Sequence, residues 1–175
     1  MWYNFTPLSK AGTMEMNEEK TARACAQKAL KISAKARYAL RALLEVAVGG
    51  AAGESRTGAA IASAQQISEK FLSRIVVTLR RQGLLRSVRG NVGGFRLAKS
   101  PEDITLLEIV EAMQGPVAIL DCLAPGATCP RSGHCLARRV WADVNTSFRS
   151  TLARVTLAAI LKRNANAADA LDYCI

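Results

Sequence analysis

The sequence predicts a mainly α-helical protein: a winged helix-turn-helix unit followed by one long C-terminal helix. Three observations carry that expectation. Two helical segments lie a few residues apart, about Gly58 to Ala64 and from Ser68 to Gly83. Directly after them come a strand candidate, a glycine-rich turn and a returning strand, Leu84 to Leu97. Farther on, Leu136, Val140, Val144, Phe148, Leu152, Val155 and Ala159 stand at intervals of 4, 4, 4, 4, 3 and 4 residues, which is one continuous helical face.

The first thirty residues show no clear period and read as an extension, with Met14 and Met16 as alternative starts. Helical spacing begins after Ser33, a candidate N-cap, with Tyr38, Leu40, Leu43, Leu44, Ala47 and Val48 on one side. Gly49-Gly50 and Gly53 are expected to stop this helix. Thr57 caps the short second helix, and Gln65-Gln66-Ile67 makes a tight link to the third. Ser68 caps that one, Glu69 suits the positive end of its dipole, and Gly83 suits its C′ position. Phe71, Leu72, Ile75, Val76 and Leu79 form its apolar stripe. Strands Leu84–Val88 and Phe95–Leu97 then flank the turn Arg89-Gly90-Asn91-Val92-Gly93-Gly94. Thr105 with Glu108 forms a capping box for a helix Leu106–Gln114, which Gly115-Pro116 ends. A loop with three cysteines runs to about residue 135. The final helix, read as Leu136–Leu161, would be about 39 Å long. Such a helix most simply buries its stripe against a twofold copy of itself; packing along its own domain is the other solution. The tail from Lys162 reads as loose.

With half of its 175 residues hydrophobic, the chain can bury a core. No run of 18 apolar residues is present, and Met1 to Lys20 lacks the apolar segment of a signal peptide, so a cytoplasmic protein is expected. The net charge of +10 is segregated. Residues 1–30 carry +1 and residues 101–175 carry −1, whereas residues 31–100 hold thirteen basic side chains against Glu45, Glu54 and Glu69. That is the footprint of a module that neutralises phosphates joined to a part that does not. The expected organisation is therefore an extension (1–30), a DNA-binding unit (31–100), a linking helix, cysteine loop and dimerisation helix (101–162) and a tail (163–175).

Within the DNA-binding unit the third helix would read bases. Ser68, Glu69, Lys70 and Ser73 lie on its first turns and Arg74 one turn further. Hydroxyls reach several base acceptors, a carboxylate accepts from cytosine, and the two cations suit guanine or phosphate. In the hairpin turn, glycines such as Gly90 let the backbone approach closely. Arg89 fits the enhanced negative potential of a narrow minor groove. No helix carrying Lys-Ser or Lys-Thr follows this turn, which argues against a phosphate-binding P-loop. With a single histidine and no Ser-His-Asp set, the chain does not read as an enzyme.

Cys122, Cys129 and Cys135 follow the pattern Cys-x6-Cys-x5-Cys, with His134 before the last. Clustered thiols among Pro125, Gly126, Pro130 and Gly133 suggest a metal, and thiolates suit zinc or an iron–sulfur cluster. Three thiolates are one ligand short of a closed tetrahedral set; His134, another side chain or a partner subunit would complete it. Cys25 and Cys174 receive no role.

Lys31 to Leu40, Ile67-Ser68, Leu79 to Leu84 and Ser87-Val88-Arg89-Gly90-Asn91-Val92-Gly93-Gly94-Phe95-Arg96-Leu97 closely resemble the IscR/NsrR/CymR (Rrf-type) family of bacterial winged-helix regulators. Cys135 to Trp141 and Val155-Thr156-Leu157 are similar to the start and finish of that family's dimer helix. The resemblance covers about residues 31–162 and is nearest to the IscR type. It implies a homodimer on double-stranded DNA, without a membrane. In its iron–sulfur members three loop cysteines hold a cluster, so Cys122, Cys129 and Cys135 would hold one here, [2Fe–2S] in preference to [4Fe–4S]. The fourth ligand of the IscR type falls on Arg138 and that of the NsrR type on Arg37, neither of which can ligate. His134 is the remaining candidate. The same DNA-binding dimer without a cluster, controlled by a partner protein, thiol oxidation or structural zinc, is the alternative.

Overall fold

The computed structural model describes residues 32–51, 54–90, 93–129 and 131–167. The expected extension, Cys25, Cys174, Gly53 and the end of the tail lie outside the described residues. Helix α1 (Ala34–Ala51) is capped by Ser33, whose Oγ accepts from the Ala36 N–H at 3.1 Å. It buries an alanine-rich face, Ala36, Ala39, Ala42, Leu43, Val46 and Ala47. The helix runs through Gly49-Gly50 and ends at Ala51, within the glycine cluster expected to stop it. An interior glycine costs a helix about 1 kcal/mol against alanine. Here a neighbour uses the gap: a Cβ on Gly49 would lie 2.6 Å from Nε of Arg56. Arg56 itself stands 3.6 Å from the Glu45 carboxylate one turn back.

Helix α2 (Gly58–Ala64) begins at Thr57, whose Oγ1 accepts from the Ala60 N–H at 3.1 Å. Its end is a Schellman closure: Ile67 N–H to Ala62 O at 3.0 Å and Gln66 N–H to Ser63 O at 3.1 Å. Helix α3 (Glu69–Arg81) starts at the Ser68 cap and ends in the same motif, with Gly83 at φ 68° and Leu84 N–H on Leu79 O at 2.9 Å. Leu72, Ile75, Val76 and Leu79 are buried as their spacing predicts.

Strands β1 (Leu85–Val88) and β2 (Gly94–Leu97) pair antiparallel, with Leu85 opposite Leu97 and Val88 opposite Gly94. On its other side β2 is bridged by Arg56, which exchanges two backbone hydrogen bonds with Phe95. That contact explains Gly94, where a Cβ would sit 2.6 Å from Arg56 O. β1 is therefore the open edge of the wing.

Helix α4 (Leu106–Gln114) starts at Thr105, whose Oγ1 accepts from Glu108 N–H at 3.2 Å. A 3₁₀ turn, Asp121–Leu123, interrupts the loop that follows. The long final helix is in fact two: α5 (Leu136–Arg154) and α6 (Leu157–Ala167). The single three-residue interval in the apolar stripe, Leu152 to Val155, falls at the break. There the chain bridges to the segment before α4, with Leu106 N–H on Val155 O and Leu157 N–H on Ile104 O, each 2.8 Å, and Thr105 paired with Thr156. These bonds replace helical ones, so α5 spans about 28 Å. The expected loose tail is also corrected at its start, because α6 continues to Ala167.

One core joins α1, α2, α3, α4 and α6 through Leu43, Ile61, Leu72, Leu79, Ile109 and Leu157. A smaller one sets Leu152 of α5 against Ala36, Val110 and Val117, with Phe148 packed beside them.

Candidate nucleic-acid interface and cysteine loop

All five predicted side chains of the third helix region, Ser68, Glu69, Lys70, Ser73 and Arg74, are exposed. Their chemistry is partly spent on the helix itself. Ser68 Oγ accepts from Phe71 N–H at 3.3 Å, which leaves its O–H to donate outward. Ser73 Oγ donates to Lys70 O at 2.9 Å, which leaves its lone pairs to accept. The two hydroxyls thus present opposite polarities to a base edge. Glu69 and Ser73 share a shallow groove with Val77, Arg80, Gly58 and Phe95, whereas Lys70 and Arg74 do not line it. Arg89 and Gly90 are exposed directly after β1, Gly90 with φ 149°. Asn91 and Val92 lie outside the described residues.

Arg80, Arg81 and Arg86 form no motif of their own for DNA contact in the sequence. In the folded chain they line one groove with Arg89. No sequence interval signals this, because the grouping joins the end of a helix to the edge of a strand.

Cys122 lies in the 3₁₀ turn, Cys129 in the loop, and Cys135 is the N-cap of α5, its Sγ accepting from Arg138 N–H at 3.4 Å. All three are free, half-buried thiols. His134 is exposed and its backbone N–H is bound to Arg131 O. Among the described residues no three His, Cys, Asp or Glu side chains converge to hold a metal ion. The donor chemistry fits an iron–sulfur cluster, since three thiols share one short loop.

The loop is stapled at its entrance. Val117 N–H donates to Glu111 Oε1 at 3.0 Å, Arg149 donates to Val117 O at 3.0 Å and to the Glu111 carboxylate, and Ile119 N–H donates to Asn145 Oδ1 at 3.0 Å. Partial burial pushes the Glu111 carboxyl up. The hydrogen bonds from Arg149 and Val117, with the Arg149 charge, outweigh that and hold it below the ordinary carboxylate range.

A capped helix-turn-helix, an antiparallel wing and a basic face define a winged-helix DNA-binding protein. The profile of the Rrf2 family, described as iron-dependent transcriptional regulator, matches residues 32–163. A putative HTH-type transcriptional regulator, rrf2-like, of Rhodobacter capsulatus is 34% identical over 148 residues, covering 81% of this chain and 99% of that protein. The structure of T. potens IscR is 30% identical with a TM-score of 0.64, covering 82% of this chain and 94% of that one. The structure of CymR (YrzC), the global cysteine regulator of B. subtilis, is 29% identical, also with a TM-score of 0.64, covering 77% and 98%. The chain belongs to the Rrf2 family of transcriptional regulators. It is a DNA-binding regulator and not an enzyme, as its relatives are. Among the described residues no helix is long and apolar enough to cross a membrane.

Proposed function

We propose that this regulator acts in the cytoplasm as a homodimer whose affinity for double-stranded DNA is set by an iron–sulfur cluster on Cys122, Cys129 and Cys135, [2Fe–2S] in preference to [4Fe–4S], with His134 as candidate fourth ligand. The observation that carries it is the placement of the thiols. They are free and half-buried in a loop that is tied at one end to α4 and at the other caps α5. The match to a family described as iron-dependent supports it. When bound, such a cluster would supply iron–thiolate bonds that oxidants break and that iron shortage leaves unformed. The chain's own residues do the rest. Residues 31–100 hold DNA, with Ser68, Glu69, Lys70, Ser73 and Arg74 in the major groove and Arg89 beside Gly90 at the minor groove. Residues 101–162 control it: the Glu111–Arg149–Val117 staple links the loop to α4 and α5, and a change in the loop therefore bears on how two recognition helices are spaced.

A second reading keeps the dimer and drops the cluster, with a partner protein, thiol oxidation or structural zinc as the control. The likeness to CymR, described as a global cysteine regulator, and the three free thiols support it. Anaerobically prepared protein separates the two. A visible absorption band with iron and sulfide on analysis is expected. Colourless, iron-free protein defeats the cluster, and stoichiometric zinc in its place supports the second reading.

A further inference from the structure

Between the C-terminal half of α3 and the open edge of β1 runs a groove walled by Arg80, Arg81, Arg86 and Arg89, with Val77 and Leu85 also lining it. No carboxylate lines it. All four arginines are exposed, and none forms an ion pair among the described residues. Among the described residues their one side-chain hydrogen bond to the protein is from Arg86 Nε to Leu97 O at 3.3 Å. Four cations held on one concavity repel each other and focus a positive field there. The groove is therefore unfavourable when empty and suited to a linear polyanion.

Its position identifies which one. A helix in the major groove and a hairpin in the adjacent minor groove must straddle one sugar–phosphate strand, the strand that separates the two grooves. The arginine groove lies between the helix and the hairpin. We infer that it seats that strand: the guanidinium groups of Arg80, Arg81 and Arg86 take phosphate oxygens, while Val77 meets the apolar face of a deoxyribose. Arg89, at the far end of the groove, leaves the strand for the minor groove. Val77, half-exposed on an otherwise polar helix face, gains a partner in this arrangement. This inference rests on the DNA-binding reading of α3 and the wing, and adds the residues that fix the register of the duplex without reading its sequence.

The test compares wild type with Arg81→Ala, Arg86→Ala and the double variant. The probes are a random-sequence duplex pool and a duplex selected from that pool by the wild-type protein. In the proposed homodimer each substitution removes two contacts per complex, so each is expected to lower the log–log salt slope by about 1.8 and to weaken binding about thirty-fold at 0.15 M salt. The loss should be equal on both probes, and Arg81→Lys should keep the wild-type slope. Arg81 has no bond to the protein, so its variant keeps the native melting temperature. An unchanged slope overturns the inference, and so does a loss confined to the selected duplex, which would make these residues base readers. Wild-type protein that neither binds the pool nor selects any duplex from it overturns the DNA-binding reading itself.

Discussion

Gln66 occupies the left-handed region (φ 53°), the one non-glycine residue with positive φ among those described. It does so because the Schellman closure of α2 needs a left-handed residue between Gln65 and Ile67. Side chains pay about 1–2 kcal/mol there, and glycine loses about 0.5–1 kcal/mol more chain entropy on folding. Gln66→Gly should therefore stabilise the fold by about 0.5–1 kcal/mol, read as a higher urea midpoint; a lower midpoint would show that the exposed Gln66 side chain contributes something the closure does not explain. At the wing, Arg89 is exposed. Arg89→Ala is expected to weaken DNA binding by about 1–3 kcal/mol in a fluorescence anisotropy titration while the dimer stays intact.

The apolar stripe of α5 divides into two halves with different partners. Phe148 and Leu152 pack on Val110 and Val117 of their own chain. Leu136, Val140 and Val144 are 74%, 62% and 44% exposed. Exposed aliphatics at four-residue intervals cost solubility unless a partner covers them, and an isologous contact between two copies of α5 does so with one surface. Val140→Glu should give a monomer in sedimentation equilibrium with an unchanged helical circular dichroism spectrum. A dimer that survives would move the interface elsewhere. The two packing solutions that the sequence leaves open are thus divided along the helix: its second half packs within the chain, and its first half is free for the proposed dimer.

At the scale of the molecule, α4 and α6 belong to the same core as the helix-turn-helix, because Ile109 and Leu157 pack with Leu43 and Leu79. The Glu111–Arg149 pair adds a polar tie from α4 to α5. The Glu111 carboxyl is held below its ordinary pKa, so its contribution is fully present above the unfolded carboxylate value of about 4.3 and is lost as pH falls through the folded one. Glu111→Gln should lower the urea midpoint at pH 7, and the gap to wild type should close near pH 3. A gap that persists at pH 3 would assign the effect to packing. Both side chains are about a third exposed, so solvent screening keeps the difference small.

Caps and turns were legible in the sequence because each is decided within three or four residues. Ser33, Thr57, Ser68 and Thr105 all accept the predicted backbone N–H, and Gly83 closes α3 as expected. The basic segment and the cysteine order were legible for the same reason, as properties of the chain itself. What the sequence could not decide depends on partners far along it. The Arg56 side chain fills the space that Gly49 leaves, and at the break in the last helix Val155 and Leu157 bond to Leu106 and Ile104. The arginine groove exists only once α3 and β1 lie side by side. Sequence alone determined the elements, their order and the charge that suits DNA; tertiary structure decided where the helices break and which cations act together, since each of these is set by packing between distant segments.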